Sequence, residues 1–223
     1  PDEGGPFPAV FFYMDAPGKR EELHEMARRI AATGYYLVLP NLYYRRTPEF
    51  LLDFETGSNT EEMFDLMNTL GNRMVVRDTQ TLINHVEDEP DADASRIGAV
   101  GYCMSGSFSL CVAAAYPDRV KAAASVYGVR LAVEAPNSPH HGFGQTTGEI
   151  YIAAAETDTY APPEMITKTE QAIASSGANG RVEWYPGTHH GFAFPGRGEI
   201  YDKAAAERHW SRLHSLFDRN LKT

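Results

Sequence analysis

No run of the 223 residues approaches the ~20 consecutive apolar side chains that a membrane-spanning helix requires. Hydrophobic residues make up 43% of the chain, but charges and turn residues interrupt every apolar stretch, so a protein without a membrane partner is expected. Positive charge is also in short supply. Twenty Lys and Arg stand against 30 Asp and Glu, and the formal net charge of −10 repels nucleic acid unless basic side chains are segregated. The pairs Arg28-Arg29 and Arg45-Arg46 instead lie among acidic neighbours, so nucleic acid is not an expected partner. Cysteine is scarce as well: Cys103 and Cys111 are eight residues apart on a turn and helix. At ~1.5 Å rise per residue they stand about 12 Å apart, beyond the ~7 Å Cα limit of a disulfide. Two free thiols favour a reducing compartment, and the cytoplasm is expected. The segment Pro1 to Pro8 has neither an initiator Met nor the basic-then-apolar layout of a signal peptide. No targeting segment is read there, and a truncated N-terminus is left open. Internal repeats and low-complexity tracts are absent, and the length suits one globular domain over 1–223.

What is present is an alternation of short β-type runs with longer amphipathic stretches, the pattern of a mostly parallel sheet with helices on both faces. Residues 9–14 (AVFFYM) read as a buried strand. A helix over 20–33 follows, with Leu23, Met26, Ala27 and Ile30 at helical spacing, and 35–39 (YYLVL) form the next strand. Residues 40–59 are irregular and rich in Tyr and Arg, an excursion placed to overlie a site. Helices are expected at 60–70 and 74–86, and a central strand at 97–102 runs into a turn and a helix reaching Ala115. Further strands are expected at 122–127, 150–155 and 182–185, with helices at 163–175 and 203–221. Residues 130–148 read as an irregular surface crossing.

The segment Gly101-Tyr102-Cys103-Met104-Ser105-Gly106 places a nucleophile-capable side chain between small residues, at a strand end and before a helix. That is the layout of a nucleophile elbow, whose tight turn requires small neighbours so that strand and helix can approach. The helix N-terminus lowers a thiol pKa, and the Met104 N–H points where an oxyanion would form. Cys111, two turns into an alanine-rich helix, has no such setting and reads as a core residue. A cysteine hydrolase also needs a base and a group that orients it. Glu156-Thr157-Asp158 follows one predicted strand and His189-His190-Gly191-Phe192 follows the next, giving the order nucleophile, acid, base found in α/β-hydrolases. All lie at carboxyl ends of strands, where open parallel sheets place their sites. Spacing alone does not choose between His189 and His190, and His140 and His141 fall in a loop and read as surface residues.

These motifs resemble those of the dienelactone hydrolase family over nearly the whole chain. Gly-Tyr-Cys103 with Gly106 is similar to its cysteine elbow, Glu156-Thr157-Asp158 with Pro162 to its acid loop, and His190-Gly191-Phe192 to its histidine motif. The stretches Gly34-Tyr35 to Pro40-Asn41-Leu42 and Tyr127-Gly128 match too. The resemblance implies an α/β-hydrolase fold and a Cys103-His190-Asp158 triad, selecting His190 over His189. It also implies that Asp15, where the family usually has Glu, interacts with the cysteine, and that the Ala16 N–H is the second oxyanion donor. The family's carboxylate-binding arginine four residues past the histidine is here Phe194, and its other arginine has no counterpart in 51–72. Phe cannot fork onto a carboxylate, so Arg45, Arg46 or Arg197 would have to substitute. Tyr43, Tyr44, Phe192, Phe194 and Arg197 are the expected pocket residues.

The expected activity is cleavage of a small ester or lactone, of the carboxymethylenebutenolidase type, through a cysteine acyl-enzyme with no metal or organic cofactor. The alternatives are a carboxylesterase or thioesterase acting on a more apolar substrate, or a hydrolase-fold binding module without catalysis. The oligomeric state is not legible.

Overall fold

The computed structural model describes residues 4–222, so the first three residues of the segment Pro1 to Pro8 lie outside it. Six strands form one sheet: Phe7–Tyr13 (β1), Tyr36–Val38 (β2), Ala92–Tyr102 (β3), Val120–Val126 (β4), Glu149–Thr157 (β5) and Gly180–His189 (β6). Their order is β2-β1-β3-β4-β5-β6, and every neighbouring pair is parallel. β1, β4, β5 and residues 97–102 of β3 are almost continuously apolar and buried, as strands covered on both faces must be.

The covering helices are Glu21–Ala31 (α1), Thr60–Asn68 (α2), Asn72–Glu87 (α3), Gly106–Ala115 (α4), Pro163–Ser176 (α5) and Lys203–Leu221 (α6). Parallel crossovers are right-handed, so a helix lies on one face when the chain steps one way along the sheet and on the other face when it steps back. The step from β1 out to β2 puts α1 on one face; the return to β3 and the onward steps put α3, α4 and α5 on the other. α6 joins α1, and Arg29 pairs with Glu207 between them. α1 turns Leu23, Met26, Ala27 and Ile30 inward, and places Glu21 and Glu22 in its first turn and Arg28 and Arg29 in its last, favourable to the helix dipole. No helix among the described residues is long and apolar enough to cross a membrane.

Two expectations are corrected. The strand expected to stop at Tyr185 continues to His189, because a register shift at Ala155/Thr157 and the left-handed Gly187 carry β6 through Pro186-Gly187. Residues 130–148 do not merely cross the surface. Leu131, Ala132, Ser138, Pro139 and Phe143 are buried, and a 3-10 turn at Pro139–Gln145 packs against α4 and α5. The reversal of direction falls between β1 and β3. The loops leaving these adjacent strands diverge to opposite faces and open a crevice at their carboxyl ends.

Candidate active site

β3 ends at Tyr102, and Cys103 opens a 3-10 turn, Cys103–Ser105, that runs into α4. Cys103 has φ 56°, the left-handed region that a non-glycine residue enters only when its surroundings hold it there. Those surroundings are specific. A Cβ on Gly101 would stand 2.0 Å from the Ser105 carbonyl oxygen, and one on Gly106 would stand 2.5 Å from Gly128 Cα. Only glycine therefore lets strand, turn and helix approach this closely. The Ser105 hydroxyl is 2.8 Å from the Tyr13 carbonyl oxygen and accepts from the Tyr102 N–H at 3.0 Å, and the Val129 N–H donates to the Cys103 carbonyl at 3.1 Å. β1 and the segment after β4 thus pin the elbow from both sides.

β5 and β6 bring the other two groups. Asp158 is buried one residue beyond β5; its Oδ1 accepts from the Tyr160 and Ala161 N–H groups at 2.9 and 3.0 Å. Its Oδ2 lies 2.7 Å from His190 Nδ1, so the imidazole Nδ1–H donates to the carboxylate and Nε2 is left for the reacting partner. Nε2 is buried and makes no hydrogen bond among the described residues, while Cys103 is near enough to act on the ring. Burial pushes the imidazole down, but Asp158 and Cys103 together push it up by more, to about 9. An imidazolium is thereby favoured at neutral pH beside the sulfur. His189, the last residue of β6, is exposed and pairs with Thr157 in the sheet. Glu156 accepts from the Gly187 N–H at 2.7 Å and so braces the β6 bulge.

Cys103 and His190 line a cavity of about 420 Å³ together with Ala16, Pro17, Leu52 and the α2 side chains Met63, Phe64 and Met67. Leu52 lies in the irregular excursion, which with α2 covers the crevice. Of the two expected oxyanion residues, Ala16 is on its wall, and Met104 directly follows the cysteine in the turn.

The expected pocket side chains fare unevenly. Arg197 lines the cavity; its Nε is buried without a hydrogen bond, and its Nη2 lies 3.9 Å from Asp15. Phe192 and Phe194 do not line it, because both are fully buried, packed on Tyr127. Tyr43 is buried too; its hydroxyl donates to the Ala16 carbonyl at 2.8 Å, bracing the loop that carries the expected second oxyanion donor. Tyr44 is exposed over Arg45, which is itself paired with Asp78, so neither faces the cavity. Asp15 is fully buried, and its hydrogen bonds run to Arg20 at 2.6 and 3.2 Å, with none to Cys103 among the described residues. The shorter side chain is held by a two-pronged guanidinium instead. Arg130, which the sequence gives no reason to single out, lines the cavity with φ 56° and no ion pair among the described residues. Cys111 is free, and burial pushes its thiol up to about 12. No cluster of three or more His, Cys, Asp or Glu among the described residues is arranged to hold a metal ion.

Comparison with known proteins adds a family and a scaffold. The model of the dienelactone hydrolase family matches residues 1–221. A Synechocystis sp. protein provisionally named carboxymethylenebutenolidase is 27% identical, over 98% of this chain and 88% of its own. The carboxymethylenebutenolidase of Rhodococcus opacus is 25% identical, over 95% of this chain and 81% of its own. A solved structure from Klebsiella pneumoniae, provisionally named dienelactone hydrolase, superposes with a TM-score of 0.84 at 25% identity, covering 97% of this chain and 89% of that one.

Proposed function

Because the chain belongs to the dienelactone hydrolase family, we propose that this hydrolase cleaves a small ester or lactone through an acyl-enzyme on Cys103. The observation that carries the reading is the Asp158-His190 hydrogen bond beside a cysteine held in a left-handed elbow on the same cavity wall. In the first step Cys103 Sγ, as thiolate, bonds to the ester carbonyl carbon, and the carbonyl electrons move to an oxyanion received by the Met104 and Ala16 N–H groups. The C–O bond to the alcohol then breaks, and the His190 Nε2–H protonates the departing oxygen. Neutral His190 next takes a proton from water, whose oxygen attacks the thioester, and the acid leaves as the thiolate and imidazolium are restored. Asp158 keeps the imidazole in the required tautomer throughout.

The cavity wall is mostly apolar with Arg130 and Arg197 on it. This favours a substrate that is largely apolar and carries one negative group, for which Arg197, with its unbonded buried Nε, is the receptor. The test is a set of aryl esters and lactones with and without a carboxylate. Cys103→Ala is expected to lose activity by at least a thousandfold, Cys111→Ala to keep it, and Arg197→Met to raise KM selectively for the carboxylate-bearing compounds. Full activity in Cys103→Ala would overturn the reading.

A further inference from the structure

A second chamber opens beside the elbow. It has a volume of about 240 Å³ and shares Met67, Val129 and Arg130 with the cavity that holds Cys103. Its floor is one face of the turn and helix that carry the nucleophile: Met104, Ser107 and Phe108 stand at positions three and four apart, and Cys103 lies one residue before the first. Leu70, after α2, and Val133, after β4, contribute further apolar wall.

Three polar side chains of this chamber already have partners, and Arg130 stands where the chamber meets the main cavity. The Ser107 hydroxyl donates to the Met104 carbonyl at 3.1 Å, Asn72 Nδ2 to the Asn137 carbonyl at 2.8 Å, and Ser138 Oγ accepts from the Val133 N–H at 3.0 Å. Away from Arg130 an occupant meets Met67, Leu70, Met104, Phe108, Val129 and Val133, and a polar group placed against these would lose its water without gaining a partner. Size points the same way, since an apolar cavity of about 150 Å³ is enough for a benzene ring.

From this we infer that Cys103 works at the junction of two chambers, and that the chamber behind Met104 takes a ring-sized apolar arm of the ester. The substrate class is then an open-chain ester with two separately housed arms, rather than a compact lactone confined to the main cavity. This rests on the esterase reading above.

The test fills the chamber from two walls, with Leu70→Phe and Val133→Phe, each checked for an unchanged melting temperature. Ethyl acetate, benzyl acetate and ethyl phenylacetate place a ring on neither arm, on the alcohol arm and on the acyl arm. The wild type is expected to prefer one ring ester over ethyl acetate in kcat/KM, and either filling variant to reduce that ratio tenfold or more, through KM. Which ring ester loses its advantage identifies the arm. An unchanged ratio for both esters in both variants would overturn the chamber. Calorimetric titration of the ring esters into Cys103→Ala, alone and combined with each filling change, separates the two ideas. Binding weakened tenfold by filling, with no turnover in the wild type, would support the chamber and remove the esterase reading. Binding indifferent to filling would remove the chamber alone.

Discussion

At Cys103 and His190 the structure departs from a simple thiol-and-base pair. The imidazole is held up at about 9 in spite of its burial, because Asp158 on one side and Cys103 on the other favour the charged ring. A group whose proton is retained above its ordinary 6.5 is fully protonated below that value and loses the proton as pH rises through 9. Activity that depends on the imidazolium to protonate the departing alcohol is therefore expected to fall on the alkaline side with a midpoint near 9. Replacing Asp158 with Asn removes one support and should bring that limb down in pH, measured as kcat/KM for an aryl ester between pH 6 and 10.5. A limb that stays where it is would mean that Asp158 does not act through His190. Cys111 offers the contrast within the same chain, since burial alone raises its thiol to about 12.

The elbow is the element on which the site depends, and its glycines carry a measurable consequence. A methyl group at Gly101 collides with backbone at 2.0 Å, whereas one at Gly71 meets nothing within 4 Å. Gly101→Ala is expected to lose ~3 kcal/mol or more of stability and Gly71→Ala to change it by less than ~1 kcal/mol, read by urea denaturation. Equal midpoints would show that the turn can relax. This element is legible in the sequence because its requirements are local: small residues at fixed offsets around one side chain. The limits of α6, Lys203–Leu221, are legible for the same reason, as its heptad-scale pattern runs uninterrupted. β6 is not, because Pro186-Gly187 is locally a strand stop, and only pairing with β5 across a bulge overrules it. The aromatic side chains are misplaced in the same way. Nothing local distinguishes a Phe that faces a cavity from Phe192 or Phe194 packed on Tyr127, and Arg130 enters the site only through the strained backbone after β4.

Across the whole molecule, the sheet order sets the five loops of the site, those after β1, β3, β4, β5 and β6, at consecutive strand ends, with β6 delivering His190 from the edge. The face opposite the elbow is tied to it by a buried pair. Tyr102, the residue before Cys103, places its hydroxyl 2.8 Å from His209 Nε2 on α6, and His209 Nδ1 lies 2.9 Å from the Ala206 carbonyl. Nδ1 therefore carries the proton, the ring is neutral, and burial pushes it down to about 4. The unfolded chain binds this proton near 6.5 and the folded one only near 4, so stability is present above 6.5 and drains away as pH falls between those values. The loss should approach ~3 kcal/mol. His209→Gln, less stable at pH 7.5, should show a shallower decline between pH 6.5 and 4 in urea denaturation; an equally steep decline would place the acid sensitivity elsewhere. The central claim, that Cys103 becomes acylated, is tested most directly by quenching turnover of an aryl ester in acid within milliseconds and mapping the protein by mass spectrometry. The account predicts one acyl group on the peptide bearing Cys103, formed with the first burst of phenol and absent in Cys103→Ala. Turnover with no acyl group on that peptide, or with the acyl group on another residue, would contradict it.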